Sequence, residues 1–158
     1  MADTDSDGRD LGRSLVWIRR DLRVQDHQAL YHAAEHSSDG VLAVFAITPA
    51  FWREHDEAGV KVDFWLRNLR LLKDSLEDLG IPLEVLHVPR IDWLPGKLLE
   101  LGQQHGCSAL HFHREYEVNE DRRDRAVRQK WLDAGLDVFT YHDRVVLKPG
   151  AVVTQEGK

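Results

Sequence analysis

One cysteine, Cys107, and one methionine, Met1, are all the sulfur in this 158-residue chain. A lone thiol excludes an internal disulfide and suits a reducing compartment, so a cytoplasmic location is expected. Apolar runs are short, far below the roughly 18 residues a membrane helix needs, and no membrane partner is expected. Positive charge is also scarce. The 21 Lys and Arg against 27 Asp and Glu leave a net charge of −6, which argues against this chain alone gripping nucleic acid, since phosphate contacts need a basic surface. Glycine is missing where a dinucleotide would need it. The turn Arg19 to Gln25 contains none, so backbone could not approach a pyrophosphate, and no GxxxxGK[ST] loop occurs elsewhere. No CxxC or HExxH spacing is present, and no metal site is expected.

What is present is alternation. Leu15 to Ile18 is a continuous apolar run, read as a strand buried on both faces. A helix is expected to begin near Asp26, taken as its N-cap, and to carry Leu30, Ala33 and Ala34. Val41 to Ile47 gives a second strand, ended by Thr48-Pro49. Ala50 to Gly59 reads as an irregular excursion. Val60 to Leu79 is the strongest helix, with Trp65, Leu69, Leu72, Leu76 and Leu79 on one face, followed by Gly80 and Pro82 as stops. Leu83 to Val88, Ala109 to His113 and Leu136 to Tyr141 read as further strands. Helices are expected from Trp93 or Pro95 to His105 and from Glu120 to Ala134, the last with Asn119 as N-cap. Strand–helix alternation of this kind predicts an α/β fold, five strands in an open parallel sheet with right-handed crossovers. The expected layout is an acidic disordered tail over residues 1–13, the α/β domain over 14–141, and the start of a connection over 142–158.

In an open parallel sheet, ligands bind beyond the carboxyl ends of the strands, where the strand order reverses. Two stretches fall at that edge: the charged turn after the first strand, and HFHREYEVNEDRRD, His111 to Asp124. His111 and His113 should point to the same side of their strand. Cys107 reads as a packed thiol.

The segments VWIRRDLRVQDHQAL and REYEVNE resemble the N-terminal α/β domain of the DNA photolyase/cryptochrome family. Arg19, Asp21, Leu22, Arg23 and Asp26 match that family's R-x-DLR-x-x-D-N pattern, with His27 in place of the asparagine. The segments TPAFWREH, GIP at Gly80 to Pro82 and LKPGAV at Leu147 to Val152 extend the likeness across nearly the whole chain. The EYEVNE form is that of the bacterial folate-antenna class of cyclobutane pyrimidine dimer photolyase.

The resemblance implies a Rossmann-like, doubly wound, parallel five-stranded sheet with helices on both faces, a domain that binds a light-harvesting antenna, methenyltetrahydrofolate, while a following all-helical domain holds FAD and the damaged DNA. By position it implies that Asn119 and Glu120 hydrogen-bond the pterin ring and that His55 packs near it. Catalytic residues would belong to the helical domain, the chain's expected partner. A DNA photolyase, a lyase serving light-driven DNA repair, is therefore the expected parent protein. The 158 residues alone are expected to be inactive and to expose apolar surface that favours self-association. A cryptochrome-type photoreceptor and a stand-alone small-molecule-binding module are the rival expectations.

Overall fold

Leu15, Val16, Trp17 and Ile18 are all buried because the strand that carries them has helices packed on both sides, which a parallel sheet requires. The computed structural model describes residues 8–143. Its element order is β1 Arg13–Ile18, α1 Gln28–His36, β2 Val41–Ile47, α2 Pro49–Glu54, α3 Gly59–Asp78, β3 Leu83–His87, a 3-10 turn Ile91–Trp93, α4 Leu94–Gln104, β4 Cys107–His113, α5 Val118–Asp133 and β5 Asp137–Tyr141. The strands form one parallel sheet in the order β3-β2-β1-β4-β5. The predicted doubly wound α/β fold is what forms.

Alternate β1 side chains serve two cores. Leu15 and Trp17 join Leu94, Leu98, Phe112, Val127 and Trp131 under α4 and α5. Val16 and Ile18 join Ala29, Leu30, Ala33, Leu69, Leu72 and Leu76 under α1 and α3. Each fully buried leucine of α3 contributes roughly 1.5–3 kcal/mol before entropy is charged. α4 and α5 approach closely because Gly102 lies against the Trp131 ring, where a Cβ would come within 2.8 Å of Cζ2.

Several boundaries differ from the sequence expectation, each for a physical reason. Asp26 is not the N-cap of α1; its φ of +50° is left-handed, whereas a cap needs extended backbone. His27 takes that place, its Nδ1 accepting from Leu30 N at 3.1 Å. Asn119 is not the cap of α5 either, since the helix starts at Val118 and Glu117 holds the extended cap position. The stretch read as irregular contains α2, opened by Pro49 at its first position, where the missing N–H costs nothing. In α3 the stripe frays at its ends: Leu79 is exposed just past the helix and Trp65 is half-buried. Within the stretch 1–13 expected as a tail, Leu11 is buried against Ala109 and Phe139 and Arg13 opens β1. Residues 1–7, most of the connection expected over 142–158 and the LKPGAV segment lie outside the described residues. Among the described residues no helix is long and apolar enough to cross a membrane.

Candidate ligand site at the carboxyl edge

The strand order reverses between β1 and β4, so the loops that follow these two strands meet. A charged cluster joins them. Arg19, just past β1, keeps only 9% of its side chain exposed; its Nη1 donates to Asp124 Oδ1 in α5 at 2.5 Å and lies 3.6 Å from Glu115 Oε2. It also donates to the His113 carbonyl, and its guanidinium covers the Trp17 ring at 4.3 Å. Arg123 donates to Glu115 Oε2 at 2.6 Å and Asp124 Oδ1 at 2.9 Å, covering Trp17 at 5.0 Å. Burial pushes the Glu115 carboxyl up, but the Arg19, Arg123 and Arg20 charges together hold it below its ordinary value. Burial likewise opposes the charge on Arg123, and Asp124 and Glu115 overcome it, raising that group.

Asp21 anchors the second half of the β1 loop. It accepts from Arg19 N at 2.7 Å through Oδ1, and its Oδ2 takes His113 Nδ1 at 2.6 Å. His27 Nε2 lies 3.1 Å from the same oxygen, without a hydrogen bond's alignment. Burial opposes ionisation of Asp21, yet His113 and His27 hold it well below the usual carboxylate range. The ligand atoms of Asp21, His27 and His113 lie within 4.8 Å of one another. Their far sides speak for protons rather than a metal. The N–H groups of Leu30 and Ala29 point at His27 Nδ1 (3.1 Å) and His113 Nε2 (3.4 Å). Both imidazoles therefore carry their hydrogen on the nitrogen facing Asp21, where a metal would need the lone pair.

Beside this cluster two hollows share Phe51, Ile91 and Arg123 on their walls. The smaller, about 70 Å³, is bounded by Trp17, Arg20, Thr48, Trp52, Trp65 and Glu120. The larger, about 510 Å³, is bounded by Phe51, His55, Pro95, Asn119 and Arg122. The three residues singled out by the resemblance thus fall together. Asn119 Nδ2 lies 3.4 Å from His55 Nε2, while His55 Nδ1 lies 3.1 Å from the Phe51 carbonyl. That pairing puts the imidazole hydrogen on Nδ1 and leaves Nε2 to accept from the Asn119 amide. The Phe51 and His55 rings lie 4.0 Å apart, tilted by 35°. Glu120, in the first turn of α5, is 12% exposed and takes Arg20 Nη2 at 3.2 Å.

Arg20 is the residue that sequence reasoning missed. It bridges Glu117 (2.8 Å) and Glu120 (3.2 Å), so a cation paired with Glu120 comes from the β1 loop rather than from its own helix. Phe51 and Trp52 were missed with α2; Thr48 followed by Pro49 was the available signal.

A doubly wound parallel sheet with an aromatic, carboxylate-rimmed hollow at its switch point is an α/β domain of Rossmann-like build with a candidate ligand site where such folds carry theirs. The chain belongs to the DNA photolyase family, whose sequence model matches residues 14–158. It is 39% identical over 140 residues to a deoxyribodipyrimidine photo-lyase of Salmonella typhimurium, covering 89% of this chain and 29% of that protein. With a deoxyribodipyrimidine photo-lyase of Neurospora crassa it shares 35% over 150 residues, covering 89% and 24%. Among solved structures, a bacterial class III photolyase from Agrobacterium tumefaciens superposes with a TM-score of 0.73 at 25% identity, covering 94% of this chain and 29% of that one. An archaeal photolyase from Sulfolobus tokodaii, described with two FAD molecules and the implication of a novel light-harvesting cofactor, gives 0.75 at 21%, covering 90% and 32%. The chain therefore spans under a third of the length of these relatives.

Proposed function

We propose that this chain is the light-harvesting domain of a deoxyribodipyrimidine photo-lyase and that its antenna is methenyltetrahydrofolate. The observation that carries the reading is the convergence of His55, Asn119 and Glu120 on two adjoining hollows at the switch point. The residues fit such a group. Phe51 and His55 offer an aromatic wall, and Glu120 offers a carboxylate to the adjacent N–H donors of an amino-pteridine edge. Charge-assisted bonds of this type are about twice as strong as neutral ones. Asn119 supplies an amide whose direction His55 sets, and Arg20 pairs with the Glu120 carboxylate on the wall of the smaller hollow. When bound, the folate absorbs near-ultraviolet and blue light and passes the excitation to FAD.

In this reading FAD and the pyrimidine-dimer lesion belong to a helical domain of the parent protein, and the net charge of −6 on this chain agrees with DNA contact residing elsewhere. The test uses the complete gene product. Illuminated with an oligonucleotide carrying a cyclobutane dimer, it should restore the pyrimidines, with an action spectrum containing a folate band beside the flavin band. A flavin-loaded protein that repairs nothing would point to a photoreceptor. Repair with a flavin band alone would remove the folate.

A further inference from the structure

Helix α1 carries a second group of ligating side chains, distinct from the carboxyl-edge hollows and independent of the light-harvesting reading. The sequence His32-Ala33-Ala34-Glu35-His36 sets two imidazoles four residues apart with a carboxylate between them. On an α-helix such residues stand one above the other on the same face. The two rings are parallel within 2°, with centroids 6.3 Å apart. Glu35 Oε2 lies 3.7 Å from His32 Nδ1 and 3.5 Å from His36 Nε2, and all three ligand atoms fall within 4.8 Å of one another. Tetrahedral zinc with bonds of ~2.0–2.1 Å separates its ligand atoms by about 3.3 Å. The side chains therefore need only small rotations to close around an ion.

The surroundings fix these groups as an outer shell fixes metal ligands. Tyr31 Oη donates to Glu35 Oε1 at 3.2 Å, which leaves Oε2 turned to the imidazoles. Tyr31 also packs edge-on against the His32 ring at 5.2 Å, and Tyr141 of β5 lies parallel to it at 5.1 Å. His36 sits in the last turn of α1, where the helix dipole favours a cation. The side chains of His32, Glu35 and His36 are 32%, 46% and 18% exposed, so an ion can reach them from solvent. Neither imidazole receives a backbone N–H among the described hydrogen bonds, unlike His27 and His113.

We propose that His32, Glu35 and His36 bind a divalent transition-metal ion, with zinc the best match and water filling the fourth position. Two imidazoles and one carboxylate suit zinc and its neighbours, whereas magnesium and calcium prefer all-oxygen sites.

The test is calorimetric titration of zinc chloride into the untagged, chelator-treated full chain. One equivalent should bind to the wild type, and magnesium should produce no heat. His32→Gln and His36→Gln should each weaken zinc by about 100-fold or more, because loss of an outer-shell partner alone costs ~10–100-fold. Tyr31→Phe, at an exposed position, should weaken it by about tenfold without touching the ligands. Cobalt in place of zinc should give the visible bands of a tetrahedral site, and these should vanish in His36→Gln. Metal-free unfolding midpoints check each variant, and should a histidine variant fail to fold, Glu35→Gln and Tyr31→Phe carry the test. Absence of zinc binding by the wild type would overturn the proposal. So would zinc affinity unchanged in Glu35→Gln and Tyr31→Phe, or in both histidine variants, which would put the ion elsewhere.

Discussion

Arg19 at the end of β1 and Asp124 in α5 meet at 2.5 Å although 105 positions separate them in sequence. Their contact ties the loop after β1 to the helix that follows β4, and Arg19 lines the smaller hollow beside it. Both side chains are under 10% exposed. Removing one member of a buried pair leaves the other uncompensated, which typically costs about 3–5 kcal/mol. Arg19→Leu and Asp124→Leu should each lower stability by about that much, measured by urea unfolding, and the double variant should lose less than the sum. Strict additivity would mean the two residues do not act as a unit.

How much of this was legible in the sequence depended on burial. Val41 to Ile47 reads as a strand because its burial on both faces makes it continuously apolar, and the structure returns the same bounds. Caps were misread from residue type. Asp26 and Asn119 have capping side chains, but capping is decided by backbone conformation, and Asp26 at φ +50° and Asn119 inside the first turn do not have it. Helix α2 has six residues, too few for a periodic signal. His55 and Asn119 stand 64 positions apart, so no local pattern could announce their contact, nor the partnership of Arg20 with Glu120. The four-residue spacing of His32 and His36 stands in the sequence, yet the sequence reading passed over it and expected no metal site; the tyrosines around the pair required the fold.

His111 gives the chain a pH dependence of definite sign. Burial, with the His32 and His36 charges adding to it, pushes this imidazole down to about 3. It stays neutral in the fold, bonded to Tyr141 Oη at 2.9 Å and Ser14 Oγ at 3.2 Å. In the unfolded chain it takes up a proton near 6.5. Its contribution is therefore whole above pH 6.5 and declines as pH falls toward about 3, by about 1.4 kcal/mol per unit. Asp21 and Glu115, both held low, keep their contribution until pH drops through the ordinary carboxylate range. Unfolding free energies between pH 7 and 5 should slope accordingly in the wild type and flatten in His111→Gln. An equal slope in both would remove His111 as the cause.

Gly102 should not tolerate a methyl group. A Cβ there would lie 2.8 Å from Trp131 Cζ2 and closer still to Cη2, and Trp131 is fully buried. Overpacking of this kind costs typically 1–3 kcal/mol, so Gly102→Ala should destabilise by about that amount despite alanine's better helix propensity. Gly96, in the same helix, has nothing within 4 Å of its Cβ direction and is the control, where alanine should be neutral or stabilising. Equal effects at the two sites would show that α5 yields freely.

Glu120 separates the antenna reading from a plain helix-end charge. It lies in the first turn of α5, where a carboxylate is worth about 0.3–1 kcal/mol against the dipole. It also takes Arg20 Nη2 at 3.2 Å while lining the smaller hollow. Glu120→Gln keeps the shape, removes the charge and turns one acceptor into a donor. Hydrogen bonds to charged groups contribute roughly 1.5–3 kcal/mol, so folate affinity of the complete protein should fall about tenfold to a hundredfold. Repair driven by light that FAD absorbs directly should survive, because the antenna only enlarges light capture. Arg20→Met tests the same point from the other side: without the cation the carboxylate loses its orientation, and folate should weaken while Glu120 is intact. Folate retention and unfolding midpoint, read on the same samples, divide the possibilities. Lost folate with a nearly constant midpoint places Glu120 on the ligand. A lowered midpoint with folate retained leaves it a partner of the helix dipole and of Arg20, and the antenna must then be held by other residues of the hollow.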